Sequence, residues 1–139
     1  MKIFIRLCIC NLVFISAQSQ PGSLDKSFGT NGVVLTGDKV NYCYALTVQT
    51  DGKIIQAGGG SYKDKAGFLL IRFDKDGNID GSFGIDGRVV TDLPGDEETI
   101  FALATQPDGK IVASGYTIQD NNAVDIALVR YNKDGAVDS

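Results

Sequence analysis

The stretch ALTVQTDGKIIQAG, Ala45 to Gly58, returns 57 residues later as ALATQPDGKIVASG, Ala102 to Gly115. Two further matches flank this pair in the same order. GSLDKSFGTNGVV from Gly22 is answered by GNIDGSFGIDGRV from Gly77 at a spacing of 55, and FLLIRFDKDGNID from Phe68 by IALVRYNKDGAVD from Ile126 at a spacing of 58. Repeat one therefore covers 22–76 and repeat two 77–134, while GAVDS at 135–139 opens a third copy. Self-similarity at a fixed period marks a fold made from one supersecondary unit used again and again.

Each copy carries four short runs rich in β-branched and aromatic residues, in the first Val33–Thr36, Tyr44–Gln49, Lys53–Gly58 and Phe68–Asp74. Such runs favour strands. Thr50-Asp51-Gly52 and, in the second copy, Pro107-Asp108-Gly109 stand between the second run and the third. Asp-Gly tolerates positive φ, so it suits a tight hairpin between antiparallel strands. No stretch after the first twenty residues sustains a helical apolar period. Four short strands about every 57 residues predict an all-β chain, a β-propeller of four-stranded antiparallel blades that is incomplete in this sequence. The structural rival is a parallel β-helix, whose coils are shorter and lack regular Asp-Gly hairpins.

The joint pattern of Asp25, Phe28, Gly29 and Gly32 with the later Asp51-Gly52-Lys53 resembles the delta-60 repeat, found in exported bacterial proteins, over essentially all of Gly22 to Ser139. The resemblance implies a propeller and brings no activity with it. By similarity to other propellers, Ala45-Leu46-Thr47 and Ala102-Leu103-Ala104 would be innermost, where small residues suit the crowded axis. Lys53–Gly58 and Phe68–Asp74 would follow outwards, with Arg88–Asp92 as the outer strand. One blade is then complete from about Tyr44 to Asp92. A second, from Ile100 to Asn132, lacks its outer strand, and Val33–Thr36 is an outer strand without inner partners.

The N-terminus reads as a secretory signal over residues 1–19. Lys2 and Arg6 form a positive start, Leu7 to Ile15 is a short apolar core, and Ala17-Gln18-Ser19 offers small residues for cleavage. The apolar run is too short to span a bilayer, which takes about 20 residues. Export to the cell surface or medium is the expectation, with no transmembrane segment in the mature chain. Cleavage would leave 11 Lys and Arg against 17 Asp and Glu, a net charge of −6. An acidic chain without a basic stripe repels a phosphate backbone, so no nucleic-acid partner is expected. Cys8 and Cys10 fall inside the signal, which leaves Cys43 as a lone thiol, expected to be a small buried or half-buried side chain.

The sharpest candidate for bound chemistry is Asp74-Lys75-Asp76-Gly77-Asn78-Ile79-Asp80. Oxygen side chains at Asp74, Asp76, Asn78 and Asp80 alternate as in a calcium loop. Ile79 stands where such a loop turns on Gly, Ile85 where it needs a bidentate Glu, and the second copy replaces one oxygen ligand with Ala136. A turn braced by Asp and Asn side chains is the favoured reading, and calcium the weak one. Asp25, Ser27, Phe28 and Gly29 recur as Asp80, Ser82, Phe83 and Gly84. Recurrence suits packing, whereas catalysis needs its groups once. The chain has no His, which removes His-based triads and His-ligated zinc. Gly58-Gly59-Gly60 precedes no helix and makes no phosphate loop. Asp96, Glu97 and Glu98 read as a solvated acidic loop, and Tyr42, Tyr44, Tyr62 and Tyr116 as strand tyrosines able to touch a ligand.

The expected function is a secreted or surface-exposed binding or scaffold module with no catalysis and no cofactor of its own. Its partner would be an extracellular protein or glycan. The alternative is an extracellular propeller enzyme acting on glycans or peptides, with its catalytic residues elsewhere. The two copies differ in length at Gly37–Cys43 and Leu93–Thr99, and at Gly59–Gly67 and Thr117–Val124. In a four-stranded meander both kinds of connection emerge on one face. Recognition is expected there, since loops free to vary are not holding blades together.

Overall fold

The computed structural model describes residues 22–37 and 41–138, so the expected signal at 1–19 and part of the Gly37–Cys43 loop lie outside the described residues. Seven strands follow in order: β1 (Asn41–Val48), β2 (Ile54–Tyr62), β3 (Lys65–Phe73), β4 (Arg88–Thr91), β5 (Glu97–Thr105), β6 (Ile111–Ile118) and β7 (Val124–Tyr131). They form two antiparallel sheets, β1-β2-β3-β4 and β5-β6-β7. The first is a complete four-stranded meander, and the second is the same unit without an outer strand among the described residues, as the repeat predicts. The β1–β2 hairpin turns on Thr50-Asp51-Gly52, with Gly52 at φ 83° and the Gln49 N–H bonded to the Lys53 carbonyl. Asp51 Oδ1 accepts the Lys53 N–H across the same turn, at 3.1 Å.

Two expectations need correction. Gly59–Gly67 is not a loop: β2 and β3 pair all the way to Tyr62 and Lys65, and only Lys63 and Asp64 turn, at φ 50° and 63°. This is the two-residue geometry that matches strand twist, reached without Gly. Val33–Thr36 is not a strand either. It makes one isolated bridge, Val33 to Thr30, because no described strand lies where β3 lies beside β4. Val34 instead packs on Leu69, Ile71 and Phe73, on the side of the first sheet away from the second.

The main core sits between the two sheets. Ile55, Ala57, Phe68 and Leu70 of the first face Ile100, Ile111, Ala113, Val129 and Tyr131 of the second, with Phe83 inserted from the β3–β4 connection. Alternation along each strand selects these residues, since only every second side chain points to the neighbouring sheet. Phe68, Phe83 and Tyr131 are fully buried, each worth about 1.5–3 kcal/mol of transfer free energy. The Tyr131 hydroxyl meets Thr91 Oγ1 at 2.9 Å, which ties β4 to the second sheet.

The recurring Asp-Ser-Phe-Gly motif explains how successive repeats join. The Gly84 N–H donates to the Asp134 carbonyl, and the Gly29 N–H to the Asp76 carbonyl, both at 2.8 Å. Each motif thus docks on the turn that opens the following copy. Asp80 collects the Ser82 hydroxyl at 2.6 Å, Lys53 Nζ at 2.9 Å and Arg72 Nε at 2.8 Å. Arg72 also donates to the Lys133 carbonyl at 2.6 Å and lies 4.5 Å over the Phe83 ring. Burial alone would raise the Asp80 carboxyl, but the Ser82 hydroxyl and the Lys53 and Arg72 charges together hold it well below the ordinary carboxylate range.

The same frame corrects the reading of Cys43. It stands at the position that Ile100 occupies in the second copy, and Ile100 is fully buried between the sheets. Cys43 is exposed because no described sheet covers that side of β1. Leu46, Val48, Ile126 and Leu128 are left open for the same reason, on the two outward faces of the sheet pair.

Candidate binding groove

A recurring irregularity in the inner strands prepares the site. In β1 the pairing jumps from Cys43–Gly58 to Ala45–Ala57, and in β5 from Ile100–Gly115 to Ala102–Ser114. Tyr44 and Phe101 are the extra residues of these two β-bulges, which re-aim a side chain out of the strict alternation. Glycine opposite each bulge is required. A Cβ on Gly58 would overlap the Tyr42 carbonyl, and one on Gly115 the Thr99 carbonyl.

The bulges bring aromatic rings from both copies together. Tyr42 stacks on Tyr44 at 6.3 Å, Tyr44 meets Phe101 at 5.2 Å, and Phe101 meets Tyr116 at 5.4 Å between centroids. Tyr42, Tyr44 and Phe101 remain 62%, 55% and 52% exposed. A continuous ladder of open rings across two repeats contributes nothing to the core that it lies beside. Tyr62 is placed elsewhere, its hydroxyl on Asp86 and its ring under Arg88.

Next to this ladder, on the face of the β2–β3 turn and the β4–β5 connection, runs a groove of about 290 Å³. Tyr42, Asp96, Glu97 and Glu98 line it together with Gly59 and Gly67, and the space a Cβ would take on these two glycines is filled by the Glu98 and Thr91 carbonyls. The connection above it is held down at both ends. Asp96 N–H donates to the Ile118 carbonyl at 2.7 Å, while Thr117 Oγ1 and Gln119 Nε2 both donate to the Pro94 carbonyl.

The acidic residues here are not the solvated loop that the sequence suggests. Glu97 and Glu98 belong to β5, paired with Ile118 and Thr117. Alternation turns Glu97 outward, where it accepts the Tyr116 hydroxyl at 3.4 Å, and turns Glu98 inward, where it is only 8% exposed. Burial pushes the Glu98 carboxyl above its ordinary value. The Asp92 charge adds to this, the Leu93 backbone N–H opposes it, and Asp96 and Glu97 push upward again. Glu98 Oε1 has no hydrogen-bond partner among the described residues. A buried carboxylate oxygen left in this way is costly, whereas the carboxylates of Asp74, Asp80 and Asp138 are hydrogen-bonded.

The calcium candidates are spent differently. Asp74 Oδ1 accepts the backbone N–H groups of Asp76 and Asn78, both at 2.9 Å, and Oδ2 takes the Asn78 amide at 3.0 Å. Asp76 pairs with Lys75, and Asp80 turns to Lys53 and Arg72. Among the described residues no group of three or more His, Cys, Asp and Glu could hold a metal ion. The opposite, Asp-Gly hairpin face carries a wider depression of about 400 Å³ lined by Asp51, Lys53, Arg72, Asp108 and Lys133. There Lys53 and Arg72 are already taken by Asp80, so its charges brace the joint between repeats.

Residues 49–83 and 106–139 match a protein family described as a domain of unknown function (DUF5122) β-propeller. Each matched stretch starts in one copy and runs into the next, and together they take in both Asp-Gly hairpins and both joining turns. The chain carries β-propeller repeats. No curated protein matches it. The two sheets are accordingly two neighbouring blades of an unclosed propeller. No described helix is long and apolar enough to cross a membrane.

Proposed function

We propose that this chain belongs to a secreted or surface-exposed protein, of the delta-60 repeat kind, that binds an extracellular protein or glycan on one face of its propeller without catalysis of its own. The observation that supports this most is the open ladder Tyr42, Tyr44, Phe101 and Tyr116 beside the Glu98 groove. Aromatic faces give large contact area at low entropic cost, and propeller loops hold such area on a rigid ring. The ladder lies on the side where the two copies vary in length, away from the joining clips. The short apolar run after Lys2 and Arg6 supports export.

The test is a glycan array and a displayed-peptide screen with the full-length protein. A ligand should emerge whose binding is lost in the Tyr44→Ala/Phe101→Ala double variant while the melting temperature holds. Ligands indifferent to both substitutions, or bound through Asp51-Gly52 or Asp108-Gly109, would place recognition elsewhere.

A further inference from the structure

We propose that the open edge of β7 receives residues 33–36 of a second copy of this chain as its outer strand, so that copies join head to tail. The repeat supplies both halves of the contact. In the first sheet β4 completes β3, with Leu69 opposite Val90, Leu70 opposite Val89 and Ile71 opposite Arg88. The same part of β7 lies 58 residues later, at the edge of a sheet with no described fourth strand. Residues 33–36 lie 55 residues before β4, and no described strand runs beside them. Their backbone is nevertheless already shaped for the role. Gly29, Asn31 and Gly32 take φ values of 55°, 54° and 89°, where Gly84, Asp86 and Gly87 take 56°, 51° and 81° on the approach to β4. The Thr30–Val33 bridge likewise repeats the Ile85–Arg88 bridge. A strand held ready in this way loses little freedom when it pairs. Carrying the register over places Ala127 opposite Leu35, Leu128 opposite Val34 and Val129 opposite Val33 of the second copy.

Burial follows the same correspondence. Phe68 and Leu70 are fully buried between the blades, while their counterparts Ile126 and Leu128 are 89% and 71% exposed. Arg72 is buried over the Phe83 ring, while its counterpart Arg130 is exposed and Phe28, the counterpart of Phe83, is half-buried. On the receiving side Cys43 lies open in the place of the buried Ile100. Joined copies pair these surfaces. Ile126 and Leu128 of one chain cover Cys43 and Ile54 of the other beside Val34, as Phe68 and Leu70 cover Ile100 and Ile111 beside Val89. The β7 edge carries neither Pro nor Lys, the usual guards against such pairing. Residues 22–25 and 135–138 match the same part of the repeat, so the incoming copy releases the former and enters from Ser27 onward. Val137, 52% exposed, then takes the place of Leu24 against Gly32. Because the two surfaces differ, the contact is heterologous and builds a closed ring or a filament.

The experiment uses the whole chain with its three cysteines changed to serine, and reads the register by disulfide trapping. Leu35→Cys is made in one sample and Ala127→Cys in another, and the two are mixed under oxidised glutathione. Directly opposed residues of a strand pair have Cβ atoms about 4.5–5.5 Å apart, close enough for a disulfide to form. The mixture should give a covalent dimer on a non-reducing gel, and neither variant alone should give one. Asp125→Cys, two residues out of register, should be trapped at least about ten-fold less with Leu35→Cys. Ile126→Arg, at a position that is open in the single chain, should weaken self-association about ten-fold or more in sedimentation while leaving the circular dichroism unchanged. Together these results establish the contact. Equal trapping at residues 125 and 127, disulfides within either single variant, or association that survives Ile126→Arg overturns it. So does a monomer whose thiols stay apart, which would leave the β7 edge to a further repeat or to another partner.

Discussion

Removing one aromatic ring from each copy of the joining motif separates packing from ligand recognition. Phe83 is fully buried between the blades, under the Arg72 guanidinium at 4.5 Å, with the Gly84–Asp134 bond one residue away. Phe28 occupies the same place in the first copy but is only half-buried, because there is less around it to pack against. Phe83→Ala should cost about 3–5 kcal/mol, the usual range for deleting a buried ring. The lost cation–π contact with Arg72 forms part of that sum. Phe28→Ala deletes the same atoms from a site that water already reaches, so about 1–2 kcal/mol is expected. Urea unfolding of the full-length protein would read both, as a shift in midpoint at constant slope. The difference of roughly 2 kcal/mol or more between them is the quantity that matters. If the two substitutions cost the same small amount while abolishing ligand binding, the motif is a ligand pocket and the packing argument is wrong.

Asp80→Asn should destabilise by roughly 3 kcal/mol near pH 7, because it leaves Lys53 and Arg72 without their shared carboxylate. The folded protein holds that carboxyl below its ordinary value of 3.8, so the benefit is present above this pH and is lost as the pH falls below it. The gap between wild type and variant, followed by thermal melts, should close in acid. Glu98 behaves in the opposite sense. Its raised carboxyl makes the folded state hold its proton more tightly than the unfolded chain, so stability falls as pH rises above about 4.5. Glu98→Gln should therefore melt higher than wild type at neutral pH and lose that advantage below 4.5; a lower melting temperature at neutral pH would contradict the account of Asp92, Asp96 and Glu97 acting on this group. Gln20–Ser139 produced alone should associate rather than melt sharply and reversibly as a monomer. Ile126 is 89% and Leu128 71% exposed on one outward face, and Leu46 and Val48 lie open on the other. Analytical ultracentrifugation with thermal melts would check this, and a reversible monomeric transition would refute it.

Sequence alone determined the repeat, the four-strand unit and the Asp-Gly hairpins, because these are local statements. Spacing fixes a period, Gly52 permits a positive φ, and alternation fixes which side chains share a face. It also marked the joining motif as structural, since Phe28 and Phe83 recur as packing requires. The errors came where a partner strand decides. Lys63 and Asp64 carry no glycine, so nothing local announced the turn that lets β2 and β3 run on through Gly59–Gly67. Val33–Thr36 has strand-like residues, but no described strand lies beside it as β3 lies beside β4. Cys43 and Ile100 hold the same place in the repeat, yet one is open and the other buried, according to whether a second sheet lies against them. The candidate site depends on tertiary structure in the same way. The signal for the bulges was present in Gly58 and Gly115, but only the pairing register shows that Tyr44 and Phe101 leave the alternation and meet. Glu97 and Glu98 are indistinguishable as letters in an acidic run. Only the placement of β5 against its neighbours turns one to water and buries the other, because the free energy of a carboxylate is set by what surrounds it.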